Sequence, residues 1–186
     1  MSNVLLDNPS QLLVCVDEFG KETGRVIDRR SGHTSPGVKH LAIQILVFNQ
    51  KKELVLHERP RNKVGGGVLD SPTTHVLAGE KPIDSAIRCL ENEYGIKKAE
   101  IKILGGYSYE KDYGDGSCEN EYCLAAFTEY SGKIIPSASH TNNKIIEIPA
   151  KNVLKDIQSG SSNYPVWFKE TVKIVYNDSV GKKFFL

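Results

Sequence analysis

The 186-residue chain is poor in the features that would place it outside the ordinary intracellular proteins. Its four cysteines (Cys15, Cys89, Cys118 and Cys123) include no CxxC pair, too sparse a set for a disulfide framework. That usage suits a reducing cytoplasm. An excess of one charge is missing as well, with 24 Lys+Arg against 23 Asp+Glu and a net charge of +1. Nothing in this balance calls for a nucleic-acid or membrane partner. Long hydrophobic runs are absent: the longest largely apolar stretch, LAIQILVF (41–48), is far too short to span a bilayer. The first residues, MSNVLLDNPS, have no basic start and no small-residue cleavage site, so no secretory signal is expected. What remains is 25% charged and 39% hydrophobic residues, at a length that suits one domain (1–186) with a full core.

Hydrophobic patterning then orders the chain. LLVCVDE (12–18) and GRVIDRR (24–30), punctuated by Gly20 and Gly24, read as a strand and its return. HLAIQILVFN (40–49) and ELVLHERP (53–60) flank NQKK as a hairpin. RNKVGGGVLDSPTT (61–74) reads as a loop long enough to be functional, or simply a mobile connection. KPIDSAIRCLENEYGI (81–96) has Ile83, Ala86, Ile87, Leu90 and Tyr94 at helical spacing, Pro82 in the first turn and Gly95 at the C-cap. Strands are expected over 99–110, 121–130 and 144–149, and helices over 150–158 and 167–177. No repeat or linker divides the chain. The fold expected is α+β, a mixed sheet between flanking helices.

Several residues carry chemistry. Glu80 and Glu93 stand thirteen apart along the long helix, where oxygen ligands could hold magnesium on a diphosphate, although most such helix faces are only solvated. His33 and His40 lie seven apart, and His75 precedes the Gly79-Glu80 turn. Glu119 and Glu121 share one face of a strand. Three histidines and two carboxylates could make a nitrogen-and-oxygen cage for a divalent metal, while each histidine taken singly is as readily structural.

The long helix and the turn before it resemble the Nudix box, with Glu80, Arg88, Leu90, Glu93, Gly95 and Ile96 in register. Thr74, Cys89 and Asn92 stand where that box has glycine, glutamate and glutamate, which argues against ordinary nucleoside-diphosphate hydrolysis. The wider pattern resembles the type I isopentenyl-diphosphate isomerase branch of the Nudix superfamily. His33, His40, His75, Glu119 and Glu121 match that branch in order, over roughly residues 14–167, and its helix is likewise depleted of glutamates. The resemblance implies that these three histidines and two glutamates form a site for magnesium, manganese or zinc. It also implies a second magnesium, brought by the diphosphate and held through Glu93. It places Arg29, Arg59, Lys63 and Arg88 on the diphosphate, Tyr109 on the catalytic Glu121, and Trp167 over a developing carbocation.

One departure stands out. Thr73 occupies the position of the family's catalytic cysteine. A thiol titrating near ~8.5 suits acid–base work, and an alcohol is a poor substitute. Cys118 falls on the opposite face from Glu119, whereas Cys123 shares the face of Glu121 one strand period further on. VGGGV (64–68) also replaces an aromatic, proline-containing loop, implying a smaller and more mobile pocket wall. Three readings follow: an isomerase-like enzyme of isoprenoid diphosphates, in which Glu121 carries protons and Thr73 orients a water; a divergent hydrolase of organic or nucleoside diphosphates; and a non-catalytic diphosphate-binding protein. The partner in each is a small-molecule diphosphate, and no sequence feature speaks to an oligomeric state.

Overall fold

The computed structural model describes Asn8 and residues 10–186. The stretch MSNVLLDNPS, where no secretory signal is expected, therefore lies, Asn8 and Ser10 apart, outside the described residues.

The sheet is organised around β3 (His40–Phe48), whose nine residues are all buried. A strand covered on both faces reads as a continuous apolar run and not as an alternation, which explains LAIQILVF. β3 runs parallel to β8 (Cys118–Glu129), from His40↔Glu121 to Phe48↔Glu129. On its other side it runs antiparallel to the short β6 (Thr73–His75). β7 (Lys102–Asp112) forms a hairpin with β8. β1 (Leu12–Val16) pairs with β2 (Glu22–Asp28) and meets the start of β3. β4 (Glu53–Glu58) returns from β3 and carries β5 (Leu69–Asp70) and β9 (Ile146–Pro149).

Helices cover both faces, as the α+β expectation required. Ile43, Ile45 and Val47 of β3 pack on Ala86, Cys89, Leu90 and Tyr94 of α2 (Pro82–Tyr94). Leu46 and Phe48 pack instead with Val153 of α4 (Ala150–Gln158) and Phe168, Val172 and Val175 of α5 (Val166–Asn177). Because strand side chains alternate, His40, Ala42 and Gln44 continue the α5-facing row. That row is apolar at the far end of β3 and polar at its start. The polar end is where the candidate site lies.

α2 ends as expected. Gly95 adopts φ 67°, its N–H reaches Glu91 and Leu90, and the Ile96 N–H closes on Leu90, a Schellman arrangement that only a residue without Cβ enters freely. Two expectations changed. The 61–74 stretch is not all loop, since β5 lies within it and β6 begins in it; strands this short carry no readable periodicity. The strand expected over 24–30 stops at Asp28, whose carboxylate accepts the Ser31 N–H at 3.0 Å and starts a single helical turn, α1 (Arg29–Gly32). Among the described residues no helix is long and apolar enough to cross a membrane.

A buried polar pair ties β4 to α2. His57 donates from Nδ1 to the Tyr94 hydroxyl at 3.0 Å, and that hydroxyl donates to the Val55 carbonyl at 3.0 Å. Burial first, then Arg59, Lys63 and His140, pull His57 down to about 3. Because the folded value lies below the unfolded 6.5, the unfolded chain binds the extra proton; stability is complete above pH 6.5 and is lost as pH falls toward 3. The contribution is on the order of 4 kcal/mol. Urea midpoints of His57→Leu should therefore vary less between pH 7 and pH 4 than those of the unaltered chain. Equal pH dependence in the two proteins would show that His57 is not the titrating group.

Candidate metal centre

Four side chains distant in sequence meet on the α5 side of the sheet. His33 caps α1, His40 opens β3, His75 closes β6 and Glu121 lies near the start of β8. The three imidazole rings form a near-equilateral triangle with centroids 4.8, 4.9 and 5.0 Å apart. One ligand atom from each of these four residues lies within 4.8 Å of the others. His33 Nε2 and His75 Nε2 are 3.0 Å apart, and Glu121 Oε1 is 3.0 Å from His75 Nε2 and 3.4 Å from His40 Nε2.

The outer nitrogens settle which atoms face inward. His40 donates from Nδ1 to the Val38 carbonyl at 2.7 Å, leaving the lone pair of the neutral ring on Nε2. That Nε2 is buried and has no hydrogen-bond partner. A buried lone pair directed at two imidazoles and a carboxylate is costly unless a cation satisfies it, so these residues fit a divalent metal. His33 is set the same way, with Nδ1 3.0 Å from the Cys118 carbonyl and 3.1 Å from Glu119 Oε2. Glu119 thus lies outside the group of four, on the outer nitrogen of a ligand, where a carboxylate fixes tautomer and ring orientation. His75 differs: Arg29 donates to its Nδ1 at 2.9 Å, so its Nε2 carries the proton shared with Glu121. Its tautomer has to change before Nε2 can ligate.

Electrostatics separates the two carboxylates. Burial would raise Glu121, but the His40 and His75 imidazoles beside it more than reverse it and hold the carboxyl well below its usual range. Burial and the Glu121 charge raise Glu119. Burial opposes the charged form of His33, yet the hydrogen bond and charge of Glu119 outweigh it and raise its pKa. Burial, then Arg29, keep His75 well below the ordinary imidazole value.

From Glu121 the site extends through aromatic residues. Tyr109, paired with Glu121 across β7 and β8, donates its hydroxyl to Oε2 at 2.6 Å. Its ring lies 5.7 Å from that of Trp167, the only tryptophan. Trp167 donates from Nε1 to Asp70 Oδ2 at 3.0 Å. Asp70 also accepts from Gln44 Nε2 at 2.7 Å, from the Ser71 N–H at 2.9 Å and from Arg59 Nη1 at 3.4 Å. Sequence reasoning missed Asp70. It lay in a segment read as loop, and nothing local marks an aspartate that will be fully buried.

The remaining expected site residues are distributed unevenly. Arg59 is committed inside the protein: besides Asp70 it donates from Nε to the Val64 carbonyl at 2.8 Å and sits 5.1 Å from the Trp167 ring centroid. Burial alone would lower its pKa, but Asp70, then Glu119 and Glu93, raise it. Glu93 is buried near Arg59 and outside the group of four. Arg88 grips Glu80 in a fork, Nε to Oε1 and Nη2 to Oε2 both at 2.8 Å, and reaches the His75 carbonyl at 3.0 Å. It braces the backbone of a candidate ligand. Lys63 lines a surface cleft beside Trp167. Thr73 pairs with Gln44 on the site face, its hydroxyl 3.4 Å from the Ile43 carbonyl. Cys123 pairs with Ala42 on the same face, and burial raises its thiol pKa well above the usual value.

A family model described as the NUDIX domain matches residues 38–163. The chain belongs to the Nudix family. Among curated relatives, this Nudix chain is 26% identical over 175 residues to an isopentenyl-diphosphate Delta-isomerase of Corynebacterium diphtheriae, covering 89% of this chain and 93% of the relative. A protein of the same name from Pectobacterium atrosepticum is 29% identical over 169 residues, covering 88% and 90%. Among solved structures, DR0079 from Deinococcus radiodurans superposes with a TM-score of 0.66 at 12% identity, covering 88% of this chain and 99% of that one. The MutT protein of Methanosarcina mazei does so at 0.56 and 17%, covering 73% and 91%. At those identities the structures speak to the Nudix fold alone.

Proposed function

We propose that this Nudix protein is a metal-dependent enzyme of organic diphosphates that moves a double bond in an isopentenyl-type substrate. The observation carrying this reading is the group His33, His40, His75 and Glu121, with an unpartnered buried nitrogen aimed into it and Tyr109 and Trp167 laid against it. The relatives named isopentenyl-diphosphate isomerases support it. The three-nitrogen, one-oxygen donor set suits zinc or manganese ahead of magnesium. Bound there, a metal would supply Lewis-acid charge beside the substrate. Glu93, close to Arg59, remains the candidate ligand for magnesium arriving with the diphosphate, and Lys63 and Arg29 the candidate cations for its charge.

The rest is done by side chains. β6 and β8 flank β3, so Thr73 beside Gln44 and Glu121 beside His40 stand on opposite sides of that strand, diagonally across Ala42. In the rearrangement a proton adds to the terminal methylene carbon, leaving a tertiary cation. A second proton then leaves the adjacent methylene, and the double bond forms there. Glu121 is placed to hold and move one proton through its carboxylate, with Tyr109 orienting it; Thr73 orients the water that serves the other side. Trp167 presents an electron-rich ring to positive charge, as its contact with Arg59 illustrates. The absence of the box glutamates at Cys89 and Asn92 weighs against hydrolysis.

Incubation of metal-loaded protein with isopentenyl diphosphate in heavy water should give deuterated dimethylallyl diphosphate. Phosphate release without it would establish hydrolysis, and binding without turnover would establish a non-catalytic protein. Thr73→Cys should raise the isomerisation rate about tenfold or more, because a thiol transfers a proton far more readily than an alcohol. An unchanged rate, read by deuterium incorporation, would remove Thr73 from the proton path.

A further inference from the structure

Beside the metal centre, and sharing Trp167 with it, lies a cleft of about 950 Å³. Such a volume sits at the upper end of the range that encloses drug-sized ligands, far more than a five-carbon diphosphate fills. Its walls divide by chemistry. Val64, Val68, Pro165, Val166 and Trp167 give an apolar side, and four cations, Arg61, Lys63, Lys111 and Lys169, outnumber the acids Glu110 and Asp115 on its lining. Gly65 forms a waist between wall and ring: a Cβ there would stand 2.8 Å from both the Trp167 ring edge and the Tyr113 hydroxyl, at a backbone φ of 65°. Glycine at 65 thus lets the loop close against the ring, which a side chain there would prevent.

Resting on the diphosphate reading above, we infer that the organic group of the substrate is longer than five carbons, an aliphatic chain of about ten or more lying along Val64, Val68, Pro165 and Val166. Cationic rim and apolar wall together fit an anion carrying a long apolar group. A nucleoside fits less well, because Tyr164, one of the aromatic side chains lining the cleft, is already stacked on Phe168 at 5.1 Å.

Calorimetric titration of the full chain with inorganic pyrophosphate, isopentenyl (five-carbon) diphosphate, geranyl (ten-carbon) diphosphate and ADP tests this. The ten-carbon compound should bind at least tenfold tighter than the five-carbon one, since each buried methylene contributes to affinity. Val166 is 40% exposed in the first turn of α5, so Val166→Trp fills the cleft at little cost to folding. It should abolish the tenfold gain and leave pyrophosphate and five-carbon binding within about twofold. Val166→Glu, a favourable acid at a helix N-terminus, should do the same by placing charge on the apolar wall and keeps the test open if the larger substitution fails to fold. Binding of pyrophosphate and the five-carbon compound with no gain from ten carbons overturns the long-chain assignment alone. A gain for ADP matching that of the ten-carbon compound also overturns it, in favour of a nucleoside. Failure of every diphosphate to bind overturns the diphosphate reading itself.

Discussion

His40→Ala should leave the purified protein without retained divalent metal while the fold persists. The imidazole is fully buried, its Nδ1 is committed to Val38, and its Nε2 points without a partner into the group formed with His33, His75 and Glu121. Removing it takes away a donor whose lone pair is already presented to the group. Glu119→Ala should act more mildly, because Glu119 contacts the outer nitrogen of His33 and orients it from behind. Loss of such an outer partner typically weakens metal binding roughly 10- to 100-fold and does not abolish it. Elemental analysis after loading with zinc or manganese and gel filtration, with circular dichroism as the fold control, separates the two. Stoichiometric metal in His40→Ala would show that the four residues do not hold a metal.

Asp70→Ala should destabilise the protein by about 3–5 kcal/mol, the usual consequence of removing one partner from a buried ion pair. Asp70 is completely buried and gathers the Arg59 guanidinium, the Trp167 indole, the Gln44 amide and the Ser71 N–H on one carboxylate. Without it, Arg59 remains inside the protein with only the weaker influence of Glu119 and Glu93 to offset its charge, and two side-chain donors lose their acceptor. Asp70→Asn keeps an acceptor for Trp167 but loses the negative charge facing Arg59, so its cost should be intermediate. Because Trp167 is the only tryptophan, its emission reports this site without labelling. Urea denaturation followed by that emission should show a lowered midpoint for both variants and a red-shifted native spectrum for Asp70→Ala. A wild-type midpoint in Asp70→Ala would mean that Arg59 finds another partner and that Asp70 is no hub.

The chemistry of the site was more legible than its connections. His33, His40, His75 and Glu121 were named because they match, in order, the pattern of the isomerase branch; spacing alone left each histidine as readily structural. Glu119 was grouped with them because alternation puts residues two apart on one face. Alternation does not say how far a side chain reaches, and the structure spends this carboxylate on His33 Nδ1. Arg59, Arg88 and Lys63 look alike in sequence, as cations near a glycine-rich loop or on a helix. Their environments differ because Asp70 captures the first, Glu80 the second, and the cleft leaves the third on its lining.

Local physics therefore determined the elements that sequence alone could supply: the buried run of β3, the capped helix α2, and the presence of histidines and carboxylates able to act as donors. Those depend on side-chain period, capping and donor chemistry, all properties of short stretches. Tertiary structure decided what the donors face. Only the parallel register of β3 with β8 sets His40 beside Glu121, and only the packing of α5 on that face brings Trp167 to Asp70 and Tyr109. A register or a packed helix comes from long-range burial, and no window of sequence contains both partners.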